Sequence, residues 1–83
     1  MTVKVKMYTL STCSHCKATK EFMNDNKVEY EYVDVDLLDG DDRRSIMEEV
    51  KKINSHVSFP TIIIGERIII GFREDEIREV LGL

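Results

Sequence analysis

Residues 61–70 constrain the fold more than any other stretch. Thr61-Ile62-Ile63-Ile64 and Arg67-Ile68-Ile69-Ile70 are two β-branched runs separated by Gly65-Glu66. Branching at Cβ suits a pleated strand, and a two-residue connection containing Gly between such runs reads as a β-hairpin. Six isoleucines here need a sheet with something packed on it. The rest of the chain must supply that cover.

The upstream segments alternate between the two periods that could do so. Residues 3–9 place Val3, Val5 and Met7 against Lys4, Lys6 and Tyr8, the period of two expected of a strand. Thr12-Cys13-Ser14 offers small polar residues for a helix start. Ala18, Phe22 and Met23 then form an apolar stripe, and Asn26 is suited to the left-handed residue that closes a helix. Residues 28–36, with Val28, Tyr30, Tyr32, Val33 and Val35, return to strand character. Asp39-Gly40-Asp41-Asp42 reads as a cap and an acidic first turn. The helix it opens carries Ile46, Met47, Val50 and Ile53 on one face, with Lys51 and Lys52 at its end. After the hairpin, Gly71 breaks the strand, and Glu74-Asp75-Glu76 opens a last helix with Ile77, Val80 and Leu81 inward. The predicted order is βαβαββα, an α/β fold. Its strand–helix–strand unit demands a parallel pair and its hairpin an antiparallel one, so the sheet is expected to be mixed.

Length and composition narrow the function. Eighty-three residues are expected to make one domain, spanning 1–83. With 42% apolar and 34% charged residues the chain reads as globular, and its net charge of −4 argues against a nucleic-acid surface. Gly65-Glu66-Arg67 interrupts the longest apolar run, well short of the ~18 residues that read as a membrane helix. Met1-Thr2-Val3-Lys4-Val5-Lys6 lacks the apolar region of a signal peptide, so a cytoplasmic location is expected.

In that reducing setting the two cysteines, Cys13 and Cys16, carry the sharpest signal. Three residues apart at a helix start, they share a face at a separation compatible with a disulfide. The unsatisfied N–H groups of the first turn stabilise a thiolate at Cys13, and the thiolate is the nucleophile. Cys16, one turn further in, is expected to remain a thiol until needed. Cys13 then attacks a substrate disulfide and Cys16 resolves the mixed disulfide. Two other readings stand beside this one. Both cysteines could be buried and inert, or they could hold a metal or iron–sulfur cluster, for which His15 or His56 or a second subunit would have to complete the ligands. A positively charged or hydrogen-bonding His15 beside Cys13 would favour the reduced form and raise the reduction potential; the other reading is an exposed helix-start histidine with little influence. Lys17, Lys20 and His56 read as solvated positions, although Lys17 beside Cys16 could assist it electrostatically; Asp34 and Asp36 read as an exposed strand face, and the Tyr30–Tyr32 pair as core and rim packing.

Tyr8-Thr9-x-x-x-Cys13-x-x-Cys16, then Ser58-Phe59-Pro60-Thr61, then Gly71-Phe72 followed by acidic residues, resembles the glutaredoxin family in order and spacing over nearly the whole chain. The resemblance implies the thioredoxin fold, with a four-stranded sheet and helices on both faces, and reduction of disulfides, including mixed disulfides with glutathione. It implies that Cys13 is the nucleophile and Cys16 the resolving thiol. Pro60 would follow a cis peptide and face the cysteines, leaving the Phe59 backbone to pair with an extended substrate. Tyr8 would pack beside the cysteines, and Phe59 and Phe72 would form an apolar collar around the Cys13 sulfur, with Gly71 in the same loop. The redox centre would be the dithiol itself, with disulfide-containing proteins as substrates, acting as a monomer. Many glutaredoxins carry a Lys three residues before the first cysteine, where this chain has Leu10, and Gly-Gly after the hairpin, where it has Gly71-Phe72-Arg73. Gly-Phe-Arg resembles instead the redoxins that serve ribonucleotide reductase. The implied electron donor is therefore either glutathione or a thioredoxin reductase. Thr12 and Met7 stand where a true thioredoxin would have Trp and a buried Asp.

Overall fold

The computed structural model describes residues 4–83. Val3, expected to open the first strand, lies outside them. The elements follow in the expected order: β1 (Val5–Thr9), α1 (Ser14–Asp25), β2 (Glu31–Asp34), α2 (Gly40–Ile53), β3 (Thr61–Ile64), β4 (Arg67–Ile70) and α3 (Glu74–Leu81). They build one four-stranded sheet in the order β2-β1-β3-β4. β1 runs parallel to β2 and antiparallel to β3, and β3 is antiparallel to β4, so the sheet is mixed. Gly65 takes φ 59° at the first turn position, where a Gly-first two-residue turn requires the left-handed side.

Side-chain alternation divides the core between the two faces. Val5 and Met7, Ile62 and Ile64, and Ile69 pack with Phe22 and Met23 of α1 and Ile77 of α3. Tyr8 and Val35 pack with Val50 of α2 on the other face, joined by Ile46, Met47, Ile53 and Ile63. β1 is thus central and buried on both sides, which is why Tyr8 is only 3% exposed although it alternates with the apolar set. Each fully buried Ile or Met contributes on the order of 1.5–3 kcal/mol. Ile68 and Ile70, on the second face of the edge strand β4, stay exposed.

Three local readings are corrected. Strand character over 28–36 contracts to Glu31–Asp34, and Val35–Leu37 turns into a 3₁₀ helix. Val28 and Tyr30 keep their apolar role by packing on the first core without joining the ladder. The left-handed residue after α1 is Lys27, at φ 56°, not Asn26. Asn26 instead satisfies the helix end by donating its side-chain amide to the Phe22 carbonyl at 2.9 Å. Asp39 occupies the N-cap of α2 but its side chain makes no capping hydrogen bond; the acidic turn of Asp41 and Asp42 faces the positive end of the helix dipole. Among the described residues no helix is long and apolar enough to cross a membrane.

Candidate active site

Strand register gathers the singled-out residues at one end of the sheet. Thr9, the last residue of β1, pairs with Asp34. Because Tyr8 pairs with Thr61 in an antiparallel ladder, the next step toward the cysteines brings Thr9 alongside Pro60. Thr61 pairs with Ile70, and the ladder continues one step further as the Gly71 N–H donates to the Pro60 carbonyl at 2.8 Å. Asp34, Thr9, Pro60 and Gly71 therefore form a row across that end. The loop leaving it carries Cys13.

That loop is pinned before it reaches the cysteine. Ser11 donates its backbone N–H to Asp36 Oδ1 at 2.8 Å and its hydroxyl to Asp36 Oδ2. These bonds hold the Asp36 carboxyl below the usual carboxylate range, the hydroxyl contributing most. The Cys13 N–H donates to the Leu10 carbonyl at 3.2 Å, closing a turn that delivers Cys13 to the N-cap of α1. At φ −83° and ψ 121° it has the extended backbone of a cap, and its sulfur does the work of a capping oxygen. The Cys16 N–H donates to Cys13 Sγ at 3.3 Å.

The two free thiols then meet different surroundings. Cys13 is partly exposed; Cys16 is wholly buried. Burial pushes the Cys16 thiol up to about 12, and its hydrogen bond with Cys13 pushes the same way. One sulfur thus lies partly exposed and the other is buried one turn behind it.

The other expected positions are distributed around this pair. His15 is exposed on the first turn, its carbonyl accepting the Thr19 hydroxyl at 2.8 Å. The Phe59–Pro60 peptide is cis, as the family resemblance implied, and Pro60 is buried. Gly71 sits at φ 88° with open space where a Cβ would be, so backbone conformation and not room makes it glycine. Phe59 packs against the α2-side core and Phe72 against the opposite one, where its ring meets Phe22 edge-on at 5.9 Å. The two phenylalanines flank the sheet end from opposite faces. Tyr8 sits in the α2-side core and donates its hydroxyl to Glu49 of α2 at 3.2 Å. Tyr30 and Tyr32 pack at 6.0 Å, the first against core and the second half exposed, and His56 is exposed in its loop.

Lys20, Asp34 and Asp36 are corrected. Lys20 is not simply solvated: its ammonium lies 3.1 Å from Asp34 Oδ1 and 4.0 Å from the centre of the Tyr32 ring. Asp34 is not a free strand-face carboxylate, because the Thr9 hydroxyl also approaches it at 2.5 Å. Asp36 lies in the 3₁₀ helix and serves the Ser11 loop.

One organising residue escaped the sequence reading. Asn54, the buried C-cap of α2, directs its side-chain amide at the Ser58 carbonyl (3.1 Å), the Ser58 hydroxyl (3.0 Å) and Thr61 Oγ1 (3.4 Å). Its side-chain oxygen accepts the His56 N–H at 3.2 Å. The loop that presents Phe59 and Pro60 is thus folded around one amide. An Asn directly after an apolar helix face was the available signal. Among the described residues, no three His, Cys, Asp or Glu side chains are grouped to hold a metal ion.

Comparison with known proteins agrees with this architecture. The family model described as glutaredoxin matches residues 5–69. The chain is 32% identical over 77 residues to an uncharacterized glutaredoxin-like 8.6 kDa protein in the rubredoxin operon of Clostridium pasteurianum, covering 93% of this chain and 96% of that protein. Methanosarcina acetivorans methanoredoxin superposes with a TM-score of 0.90 at 47% identity, over 96% of this chain and 85% of that one. The glutaredoxin of Methanosarcina mazei gives a TM-score of 0.86 at 52% identity, over 96% of this chain and 79% of its own.

Proposed function

Because this chain belongs to the glutaredoxin family and is a glutaredoxin-like redox protein of the thioredoxin fold, we propose that it is a small dithiol thiol–disulfide oxidoreductase. It reduces protein disulfides or mixed disulfides with glutathione through a reversible Cys13–Cys16 disulfide. One observation carries the reading: Cys13 Sγ, partly exposed, accepts the Cys16 N–H at 3.3 Å while the Cys16 thiol is buried one turn behind it.

The chemistry follows from that asymmetry. The Cys13 thiolate attacks one sulfur of a substrate R–S–S–R′, forms Cys13–S–S–R and releases R′S⁻, which takes a proton from water. The Cys16 thiol loses its proton as its sulfur attacks Cys13 Sγ. The Cys13–Cys16 disulfide forms and RS⁻ leaves as RSH. The substrate gains two electrons and the dithiol loses two. Two glutathione molecules or a thioredoxin reductase return them, so the centre is the protein's own dithiol.

Recognition is shallow in this reading. The Phe59 backbone lies one residue before the sheet end and is free to pair with an extended substrate segment. Gly71 leaves open space beside Pro60, and the exposed parts of Phe59 and Phe72 give an apolar rim. Tyr8 supports the floor from the α2 side. His15, exposed between the two cysteines, favours the reduced form and raises the potential; the His15→Tyr protein, titrated against glutathione, then has the lower potential. We place the protein in the cytoplasm, acting as a monomer.

The test is disulfide reduction with the donor varied. Wild-type protein supplied with NADPH and either glutathione plus glutathione reductase or thioredoxin reductase reduces hydroxyethyl disulfide or insulin. Cys13→Ser does not. Activity that survives in Cys13→Ser overturns the reading, and the donor that sustains wild-type turnover identifies the electron source.

A further inference from the structure

We propose that Lys20 is an electrostatic positioning residue for the second exchange, holding a fixed positive charge on the Cys16 face of α1; this rests on the dithiol reading above. Cys16 and Lys20 are four residues apart on one helix, so their side chains rise from the same face with Cβ atoms about 5–6 Å apart. An ordinary surface lysine at that position would sample many rotamers. Here the ammonium is anchored from a neighbouring strand.

The anchor has several parts. Asp34 Oδ1 lies 3.1 Å from Lys20 Nζ, with side-chain exposures of only 15% and 21%, so the pair is shielded from solvent. The Tyr32 ring lies 4.0 Å below the same ammonium, the geometry of a cation–π contact. Asp34 is itself fixed by the hydroxyl of Thr9, a fully buried residue and its ladder partner across β1 and β2. The charge is thus held by the sheet, next to the helix face that carries the resolving thiol.

A charge is useful there because Cys16 has the harder task. Its thiol must give up a proton in a buried place before it can attack. Burial and Cys13 oppose that ionisation, while a backbone hydrogen bond from Leu10 and the charge of Lys20 favour it. Of the titratable groups near the thiol, Cys13 opposes its ionisation and Lys20 favours it, and the Asp34 carboxylate paired with Lys20 offsets part of that charge. In the balanced step, Cys13–S–S–R and HS–Cys16 become Cys13–S–S–Cys16 and RSH. Lys20 keeps its proton throughout and lowers the cost of the transient Cys16 thiolate.

Two-phase release of nitrothiobenzoate from dithiobis(nitrobenzoate) separates the two exchanges. The first release reports attack by Cys13; the second, independent of reagent concentration, reports attack by Cys16 on the mixed disulfide. Neutralising Lys20 reduces the thiolate population at Cys16, but a more basic thiolate is a better nucleophile. A tenfold loss of thiolate therefore slows the step about threefold. Lys20→Gln and Lys20→Met should both slow the second phase about threefold and leave the first unchanged, while Lys20→Arg restores it. A second phase at the wild-type rate in both neutral variants overturns the proposal, as does an Arg variant as slow as Gln. Absence of any second release from wild-type protein sinks the dithiol reading itself, and this inference with it.

Discussion

The backbone N–H of Cys16 points at the sulfur of Cys13 from 3.3 Å, while the thiol on that same residue is fully buried. One residue thus turns its backbone N–H toward its partner's sulfur and withholds its own. Alkylation should report this directly. At neutral pH, iodoacetamide should add a single group, at Cys13. Cys16 combines lack of access with a thiol pushed up to about 12 from the ordinary 9.0, which cuts its thiolate population about a thousandfold. Peptide mass mapping that finds Cys16 modified as fast as Cys13 would contradict the arrangement.

The same thiol makes reduced protein sensitive to alkali. Cys16 ionises near 9.0 when the chain is unfolded and near 12 when folded, chiefly because burial disfavours the charged form. Above pH 9 the unfolded state therefore binds fewer protons than the native one, and stability falls as pH rises. Its contribution is fully present below pH 9 and is lost progressively up to about 12, at roughly 1.4 kcal/mol per pH unit where the slope is steepest. Urea unfolding across that window should show a shallower decline for Cys16→Ala than for reduced wild type. Parallel declines would mean that the thiol is not shielded.

The sequence was most readable where local chemistry decided the outcome. Thr61–Ile64 and Arg67–Ile70 had no alternative to a hairpin once Gly65 separated two isoleucine runs. Cys13 reached the N-cap because small polar neighbours and a following apolar stripe mark a helix start without reference to the rest of the chain. Partners set by strand register were less readable. Lys20 meets Asp34 only because β2 lies parallel to β1 with Thr9 opposite Asp34, and no periodicity encodes which charges a sheet brings together. Tyr8 alternates with the apolar set of β1 yet is buried, because β1 is covered on both faces and a period of two does not say so. Lys27, rather than Asn26, takes the left-handed backbone because it follows the C-cap, where its N–H returns to the Asn24 carbonyl and the Val28 N–H to the Met23 carbonyl.

Asn54 is the next place where stability and the site coincide. Replacing it by Ala removes the buried amide facing the Ser58 carbonyl, the Ser58 hydroxyl and Thr61 Oγ1, and the oxygen facing the His56 N–H. Leaving partly buried partners unpaired costs about 2 kcal/mol, to be read from the urea midpoint. Asn54→Asp should be no milder. It keeps the acceptor for His56 but sets a carboxylate oxygen against the Ser58 carbonyl. An Asp variant of wild-type stability would show that the amide donors do not organise this loop.

Phe72 separates folding from recognition. Its ring packs on the α1 and α3 side core and meets Phe22 edge-on, with centroids 5.9 Å apart and planes at 62°. Full removal of a buried Phe costs about 3–5 kcal/mol; Phe72 is only partly buried, so Phe72→Ala should cost about half of that. Phe72→Leu keeps the apolar contact and forfeits mainly the edge-to-face preference, about 0.5–1.5 kcal/mol. If the exposed part of the ring also forms part of a substrate rim, a protein disulfide should show a raised KM with both variants at temperatures where they are fully folded. A small disulfide such as hydroxyethyl disulfide, which can reach Cys13 without touching the rim, should not. Equal losses with large and small substrates would confine Phe72 to the core, and an Ala variant as stable as wild type would remove it from the core altogether.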